Sequence, residues 1–400
     1  MDPRRLRLTA ACLLTAGILA RPAAADDVLT VALGGSVIHD SNLFRLPSSA
    51  DPQLTLGQPT KSDTIRLTYA GLRIVKPYGQ QNFQLDLTET QHRYNNFPRL
   101  DWDGFDYRAA WLWHLTPRVS GTLSTDRKQT PVSFADVPGS KRNVRNTDTR
   151  NFNLDGLIFG GWHVLLGATQ KKQSSEVPSL LESDFQFTGA EAGVMYAAAS
   201  GNTITVNQHS RRGEYVNRPL DSVNLIDKGF SESELELKLT YILSGKSTLK
   251  GRVGRRERRH DHFPQRDFSG PVGDLAYAWD PTGKLQLNVS AKRDIAPSSE
   301  PFSSYIVKDT LSLTPSWLTS AKTAVRFILS RATNEFRAPI VAPAGPSRVD
   351  TTRTATLVAD WKPSNSVSLS ASVQRQGRTS TNAAAEYATT VVTISAALSF

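Results

Sequence analysis

The stretch LELKLTY, residues 235–241, alternates apolar side chains with charged or hydroxyl side chains at every position. Because successive side chains of a β-strand point to opposite faces, this spacing predicts a strand with one apolar and one polar face. The stretches LQLNVSA (285–291) and VSLSASV (367–373) repeat the pattern. We therefore expect an all-β chain whose strands each meet two different environments.

The length of the strands favours a membrane as one of those environments. Many alternating runs exceed the about five or six residues of an average soluble strand, and they reach the about 9–11 residues of a strand that crosses a bilayer at a tilt. Mean hydropathy is −0.34, and after the N-terminal leader no stretch approaches the about 18 apolar residues of a transmembrane helix. If the chain crosses a membrane, it crosses as strands.

The predicted connections alternate between short and long. The short ones are 76–80, 116–118, 160–161, 200–202, 244–246, 280–283, 319–322 and 362–365. The long ones are 39–61, 95–103, 129–146, 174–183, 215–228, 259–265, 295–303, 335–348 and 379–385. This asymmetry predicts a single transmembrane antiparallel β-barrel of about 18 strands, within a range of about 16–18, with short periplasmic turns and longer external loops.

The N-terminal segment MDPRRLRLTAACLLTAGILARPAAA (1–25) is interpreted as a secretory signal peptide. An arginine-rich start precedes an apolar run, and three small residues end at Ala25, where cleavage is expected. Cleavage would leave a barrel over 26–400 and would remove Cys12, the only cysteine. Lipidation of Cys12 is an alternative that its poor flanking sequence disfavours.

Tryptophan placement supports the membrane interpretation. Five of the seven tryptophans stand beside short connections, namely Trp113, Trp162, Trp279, Trp317 and Trp361. Amphipathic rings favour the depth of the lipid headgroups, so we predict that they form the periplasmic aromatic girdle. The alternative is five unrelated aromatic anchors of a core.

The chain ends TVVTISAALSF (390–400), with its apolar side chains on one face and Phe400 last. Such a strand resembles the signal that the barrel-assembly machinery recognises. We expect residues 28–38 and 386–400 to pair and close one barrel, because an unpaired strand edge cannot face lipid. Both termini would then be periplasmic, and the protein would lie in a Gram-negative outer membrane, in contact with its lipid and lipopolysaccharide.

Charged side chains on the polar faces are predicted to line a wet lumen, because an Arg or Lys on the lipid face at mid-depth costs about 2–4 kcal/mol. The predicted lumen residues are Arg66, Asp86, Arg108, Asp126, Lys128, Lys171, His209, Arg211, Glu234, Glu236, Lys238, Lys250, Arg252, Arg256, Arg258, Lys292, Asp294 and Arg326.

The densest group of these charges is KGRVGRRERRH (250–260). The candidate basic lumen consists of Lys250, Arg252, Arg256, Arg258, Arg211 and Arg326. One interpretation is an electropositive passage that attracts anionic solutes such as acidic polysaccharide. The other is a wall ladder in which Glu234 and Glu236 neutralise arginines on the neighbouring strand. The part from Arg255 to His260 is a further candidate, for binding lipopolysaccharide phosphates.

The sequence indicates no enzyme, no metal site and no cofactor. His260 and His262 flank Asp261 in an external loop, a spacing that is more often solvated than metal-bound. A Gly-x-Ser-x-Gly nucleophile elbow is missing from the sequence, as is a phosphate-binding glycine loop. The net charge of +10 would suit nucleic acid, but a leader and a barrel make that partner inconsistent with the rest of the chain.

The segment DSNLFRLP (40–47) follows the first predicted strand. With the leader and the terminal Phe, it resembles the EpsL-type outer-membrane barrels of exopolysaccharide biosynthesis in exosortase/PEP-CTERM systems, within a broader group of β-barrel porins. The resemblance rests on Asp40, Ser41, Asn42, Leu43, Phe44 and Arg45. It implies a non-enzymatic part in polysaccharide export, with anionic polysaccharide and periplasmic export proteins as partners.

The apolar residues of this segment need cover from water. We therefore expect it to fold back onto the barrel mouth or into the lumen, with Arg45 near a lumen carboxylate, rather than to continue the first strand. Two alternatives to polysaccharide export stay open: a general or anion-selective porin for small solutes, and a structural outer-membrane protein with a plugged lumen.

Overall fold

The computed structural model describes residues 29–137, 139–177, 184–297, 303–339 and 347–400. The predicted signal peptide and Cys12 lie outside these residues. The described residues form one 18-stranded antiparallel sheet. Its strands are β1 (Leu29–Asp40), β2 (Asp63–Tyr78), β3 (Gln81–Tyr94), β4 (Trp102–Thr116), β5 (Val119–Pro131), β6 (Val144–Phe159), β7 (Trp162–Ser175), β8 (Phe185–Ala197), β9 (Thr203–Tyr215), β10 (Gly229–Ser244), β11 (Ser247–His260), β12 (Phe268–Trp279), β13 (Leu285–Pro297), β14 (Ser303–Leu318), β15 (Thr323–Pro339), β16 (Val349–Trp361), β17 (Val367–Ser380) and β18 (Tyr387–Ser399).

The sheet closes on itself between its first and last strands. β1 pairs with β18 with Ser36 opposite Ser395, and with β2 on its other side, and every other strand pairs with its neighbours in sequence. The predicted pairing of the terminal strands and the predicted barrel are therefore confirmed. Closure leaves no unpaired strand edge, as spanning a bilayer requires.

The connections follow the predicted order at both ends of the barrel. The eight predicted short connections all occur at one end, which we call the turn end, and the nine longer links all occur at the other, the loop end. The loops contain α1 (Pro52–Leu56) and short 3₁₀ helices at Pro98–Leu100, Pro264–Arg266 and Ala383–Ala385. Among the described residues, no helix is both long and apolar enough to cross a membrane.

Cross-strand register carries the alternation of side chains around the whole barrel. Leu237 lies opposite Val206 on one side and Val253 on the other, and all three are exposed. Paired residues share a face of the sheet, so the large apolar side chains lie together on the outside. The charged residues that alternate with them point inward, which is the arrangement of a barrel with lipid outside and water inside.

Buried apolar clusters lie at the loop end and on the inner wall, not along a central axis. One joins Phe44, Leu56, Phe97 and Leu100, and we call it the mouth cluster. A second joins Phe268, Val272, Ile295 and Val307. On the inner wall, the Tyr69 ring covers Gly34 so closely that a Cβ there would lie 2.4 Å from Cε1.

Candidate functional site

All six residues of the candidate basic lumen face inward. On β11, Arg252, Arg256 and Arg258 lie opposite Lys238, Glu234 and Glu232 of β10, and Lys250 lies opposite Thr240. Arg211 on β9 also pairs with Glu232, and Arg326 on β15 shares the inner face with Ser316. Period-two alternation, with apolar residues assigned to lipid, therefore placed these six side chains on the correct face.

Glu234 is the centre of an inner-wall ion-pair network. Its carboxylate is buried, accepts from Arg252 Nη1 at 2.6 Å through Oε1, and accepts from Arg256 Nε at 2.7 Å through Oε2. Each arginine also reaches a carboxylate on the far side: Arg252 Nε lies 2.6 Å from Asp274 and Arg256 Nη1 lies 2.7 Å from Asp294. The two arginines of β11 are therefore held between Glu234 of β10 and the aspartates of β12 and β13.

His209 extends this network toward β8. Its Nδ1 lies 2.9 Å from Glu191 and its Nε2 lies 2.7 Å from Glu236. Glu236 in turn accepts from Lys238 at 2.5 Å and from Arg252 at 3.1 Å. We call the connected set around Glu234, Glu236 and His209 the charge ladder.

Most of the predicted basic residues are therefore neutralised by neighbours. Besides Arg252 and Arg256, Arg211 pairs with Glu232 at 2.5 Å, Arg326 pairs with Asp360 at 2.7 Å, and Arg258 lies 3.7 Å from Glu232. Breaking such a pair on one side leaves the other charge unmatched, which costs more than the pair gains. This geometry is that of the wall-ladder alternative. Attraction of anions by these six residues stays a prediction.

Other inward cations are exposed and make no ion pair with a described carboxylate. They are Arg108, Lys128, Lys250, Lys292 and Lys308. Sequence reasoning did not include Lys308, although its alternation with Thr310 and Ser312 was a sufficient signal. These side chains are free to meet a solute, whereas the charge ladder is not.

Arg66 was predicted to line the lumen, and this prediction is wrong. It lies opposite Val37 of β1, which is half exposed on the outer face, so Arg66 points outward near the loop end. The opposite face of β2 carries Leu67 and Tyr69 inward, against Ala32 and Ile38. The alternation in TIRLTYAG has apolar residues on the lumen face here, which is the reverse of the pattern elsewhere.

The inner wall also contains a recess toward the turn end. Its volume is about 470 Å³, and its polar lining includes His114, Asp155, Glu191, Asn207 and Lys238. Carboxylates and a lysine therefore face the same space. Within the described residues, no group of three or more His, Cys, Asp or Glu side chains is arranged to bind a metal ion.

The segment from Asp40 to Pro47 forms a tight turn at the loop end. Asp40 accepts from the backbone N–H of Asn42 at 2.9 Å, from the Thr389 hydroxyl at 2.6 Å and from Arg45 at 2.8 Å. The Asn42 side chain donates to the carbonyls of Leu46 and Ala388. Arg45 has a positive φ of 56°, which these bonds hold in place. The expected contact of Arg45 with a carboxylate is present, and the carboxylate is Asp40.

Phe44 enters the mouth cluster, where it is only 2% exposed. Its ring lies 4.7 Å from that of Phe97 and 4.6 Å from that of Phe134, a residue of the loop between β5 and β6. Arg378 on β17 donates to the carbonyl of Ala135 in the same loop at 2.7 Å. The loop therefore extends from β5 toward the inner wall at β17 and narrows the mouth. The expected folding back of the segment is confirmed.

The five girdle tryptophans all lie on the outer face by register, at the turn end. Trp162, Trp279, Trp317 and Trp361 are 41–56% exposed, whereas Trp113 is 6% exposed. Trp113 lies flat over Gly121 and stacks on Phe152. Their role as a headgroup girdle stays a prediction.

The remaining sequence candidates also have defined surroundings. Phe400 exchanges backbone hydrogen bonds with Val31, and its side chain is exposed. His260 contacts Asp267 at 3.3 Å, while His262 contacts Asp227 at 3.0 Å, so the two imidazoles have separate partners. Asp227 also accepts from the backbone N–H groups of His262 and Phe263. Recognition of Phe400 by assembly machinery is not tested by this geometry.

Comparison with known proteins identifies the fold. No family model matches the sequence, and no curated protein sequence matches it. Among solved structures, the outer membrane protein OpdK from Pseudomonas aeruginosa matches with a TM-score of 0.52 and 10% identity, over 93% of this chain and 99% of that chain. OccK2 (OpdF) of the same organism, in complex with glucuronate, matches with a TM-score of 0.53 and 10% identity, over 93% and 98%. A BenF-like porin from Pseudomonas fluorescens Pf-5 matches with a TM-score of 0.53 and 9% identity, over 93% of this chain and 98% of that chain.

These similarities show the fold of outer-membrane porins and support an outer-membrane location. They contradict the expectation of polysaccharide export, because the structures that resemble the chain over nearly its whole length include OccK2 in complex with glucuronate and a BenF-like porin. The EpsL-type assignment has no support, and the broader resemblance to β-barrel porins is retained. The motif at Asp40–Arg45 has a local structural role in the turn and the mouth cluster, which explains why it occurs without the inferred function.

Proposed function

We propose that the protein is a non-enzymatic outer-membrane channel for small anionic solutes, with carboxylates as the substrate class. The observation that carries the proposal is a closed 18-stranded barrel whose inner wall presents exposed, unpaired cations. Barrels of about 16–18 strands have room for an aqueous passage. The inward-folded loop between β5 and β6 would restrict that passage to small molecules.

The two kinds of lumen charge would act differently. The charge ladder pairs its cations with carboxylates, so it stiffens the wall and contributes little net field. Lys250, Lys292 and Lys308 lie on nearby strands of the same wall and have no ion pair with a described carboxylate. A passage with low-dielectric walls focuses the field of such residues and raises the local concentration of anions.

Solutes named for the similar structures support the carboxylate class. OpdK has been crystallised with vanillate and OccK2 with glucuronate. Both molecules carry one carboxylate group on a ring of modest size. At 10% identity the similarity conveys the fold alone, so the substrate class for this chain rests on its own lumen cations and on a direct test.

The test is a reversal-potential measurement in planar bilayers under a KCl gradient. The wild type is expected to conduct with preference for chloride over potassium. Lys292→Gln combined with Lys308→Gln should bring the ratio of chloride to potassium permeability several-fold closer to one. The reason is that the double variant removes two fixed charges from about the middle of the lumen wall.

The matched control is Lys76→Gln combined with Lys172→Gln, which removes two lysines from the outer face and should leave the ratio unchanged. A correctly folded wild type that gives no current, or that prefers potassium, would overturn the proposal. A silent channel would instead favour the structural alternative with a plugged lumen.

A further inference from the structure

Three arginines form a group on the outer face of neighbouring strands. Arg331 of β15 lies directly opposite Arg353 of β16, and Arg375 of β17 lies opposite Ala355, two residues along from Arg353. Leu329 and Leu357 on the same face point to lipid, so the three guanidinium groups also point outward. All three side chains are exposed. We call them the arginine triad.

The triad has no carboxylate partner, unlike most outward arginines of the strands. Arg66, Arg150 and Arg255 also lack one, but they do not form a group: Arg150 donates to Gln170 and Arg255 donates to Ser269. Arg66 lies opposite Arg93, which pairs with Asp103. Several outward arginines form ion pairs, including Arg93–Asp103, Arg127–Asp148, Arg212–Asp261, Arg259–Glu257 and Arg293–Asp309. Three outward carboxylates on neighbouring elements have other partners: Asp309 is bonded to Arg293, Glu335 is bonded to Arg337, and Glu386 accepts from the backbone N–H of Ser380. Among the described groups, Arg375 donates to the Thr390 hydroxyl, and no carboxylate pairs with any of the three. Like charges directly opposite one another are destabilising, so the site favours an added anion.

The depth of the triad matches the headgroup zone on the loop side. Arg353 lies eight residues from Trp361 along β16. At about 3.4 Å per residue and a tilt of about 40°, this separation is about 20 Å along the membrane normal. The apolar band of such barrels is about 25 Å tall. With Trp361 near its lower edge, Arg353 and Arg331 lie close to its upper edge, and Arg375 lies about 5 Å deeper, within reach of a long side chain.

An apolar hollow lies on the outer face next to the triad, toward the turn end. Its volume is about 640 Å³, and its lining includes Gly35, Val37, Leu369, Ala371, Ile394 and Ala396. Glycine and alanine at these outward positions leave space that larger side chains would fill. Ala371 lies four residues, about 14 Å, from Arg375 on β17, and only Val373 lies between them on the outer face of this strand.

We propose that the triad and the hollow together bind one lipid A moiety of lipopolysaccharide, with phosphate groups on the arginines and an acyl chain in the hollow. Guanidinium groups bind phosphate oxygens in bidentate fashion. Charge complementarity selects a phosphate, the hollow selects an apolar chain, and the loop-side depth selects the outer leaflet. The site depends on the barrel lying in the outer membrane and is independent of transport.

The experiment measures binding of fluorescent bisphosphorylated lipid A to the purified barrel in detergent, after a heat-modifiability gel has established folding. Changing Arg331, Arg353 and Arg375 to Gln should weaken binding about tenfold or more, since three charge-assisted contacts are lost. The control variant changes Arg127, Arg150 and Arg212 to Gln, which removes the same charge elsewhere on the outer face. It should bind within about twofold of the wild type.

Two further arms separate the parts of the site. Ala371→Phe with Ala396→Phe fills the hollow and should weaken binding several-fold with the triad intact. Dephosphorylated lipid A should bind the wild type as weakly as bisphosphorylated lipid A binds the triad variant. Equal binding by wild type and triad variant would overturn the proposal. So would displacement of lipid A by a tenfold excess of phosphatidylglycerol or inorganic phosphate, or a dimer of the protein that occupies the face instead.

Discussion

At the scale of single residues, buried carboxylates organise the loop end of the barrel. Asp63 is fully buried at the start of β2 and accepts from the backbone N–H groups of Asn95, Asn96 and Phe97. It thereby fixes the turn after β3, where Phe97 joins the mouth cluster. The sequence assigns Asp63 to a strand end, but its partners are more than 30 residues away, so no local pattern could reveal this role.

Replacing Asp63 should destabilise the protein markedly. In Asp63→Ala, the backbone N–H groups of Asn96 and Phe97 lose their acceptor and that of Asn95 keeps only the Thr64 carbonyl. We therefore expect a loss of about 2–4 kcal/mol in the free energy of unfolding. Urea unfolding in lipid vesicles, followed by tryptophan fluorescence, measures it. Asp51→Ala is the control, because Asp51 caps the exposed helix α1 and its loss should cost about 1 kcal/mol or less. Equal effects of the two substitutions would show that Asp63 has no special role.

The hydrogen bonds of Asp227 predict that the stability of the loop over residues 216–228 depends on pH. Burial by itself would raise the pKa of this carboxyl, but hydrogen bonds from His262, Gly229 and Phe263 outweigh burial and hold the pKa below its ordinary value. A lowered folded-state pKa means that the stabilisation is complete above the unfolded pKa of about 3.9 and is lost as pH falls through the folded pKa.

Hydrogen–deuterium exchange of the loop, comparing the wild type with Asp227→Asn at each pH, measures this dependence. The wild-type loop should exchange more slowly than the variant loop at about pH 5, and the difference should shrink as pH falls below about 3.9. Release of the wild-type loop near pH 6 would contradict a role for the carboxylate.

At the scale of elements, strand ends were predictable and loop conformations were not. Period-two alternation ends where Gly, Pro, Asn and Ser accumulate, so all eight short turns were found from sequence. The direction of the loop between β5 and β6 depends on Phe134 meeting Phe44 and on Arg378 meeting Ala135, which are contacts between distant parts of the chain. Arg66 was assigned to the wrong face of β2, because alternation alone does not say which face is the lumen.

Loosening this loop should widen the passage. Phe134→Ala removes a ring from the mouth cluster and should cost the inward conformation about 2 kcal/mol, so that open states become about tenfold or more populated. Single-channel recordings should then show longer dwell times in a higher-conductance level. Leu54→Ala, at an exposed position of α1, is the control and should show the same conductance levels and dwell times as the wild type. An unchanged Phe134→Ala channel would mean that the loop does not restrict the passage.

At the scale of the whole molecule, the sequence predicted the architecture correctly and the biological role incorrectly. The architecture follows from alternation, strand length and closure, which are properties of the entire chain. The role was inferred from six residues, Asp40 to Arg45, whose side chains make a turn and anchor a loop. Such contacts suit any barrel mouth, so they do not distinguish a polysaccharide exporter from a porin. Ion pairing across the inner wall likewise depended on side-chain positions that no sequence pattern fixes.

A barrel with lipid outside and water inside underlies every function proposed for this protein, and cysteine accessibility along β17 tests that arrangement directly. Single cysteines at Ser368, Ser370 and Ser372, on the inner face, should react with a membrane-impermeant thiol reagent in intact outer membranes. Cysteines at Leu369, Ala371 and Val373, on the outer face, should stay unreactive. Reactivity that alternates with a period of two is the predicted result, and equal reactivity at all six positions, or the opposite alternation, would contradict it.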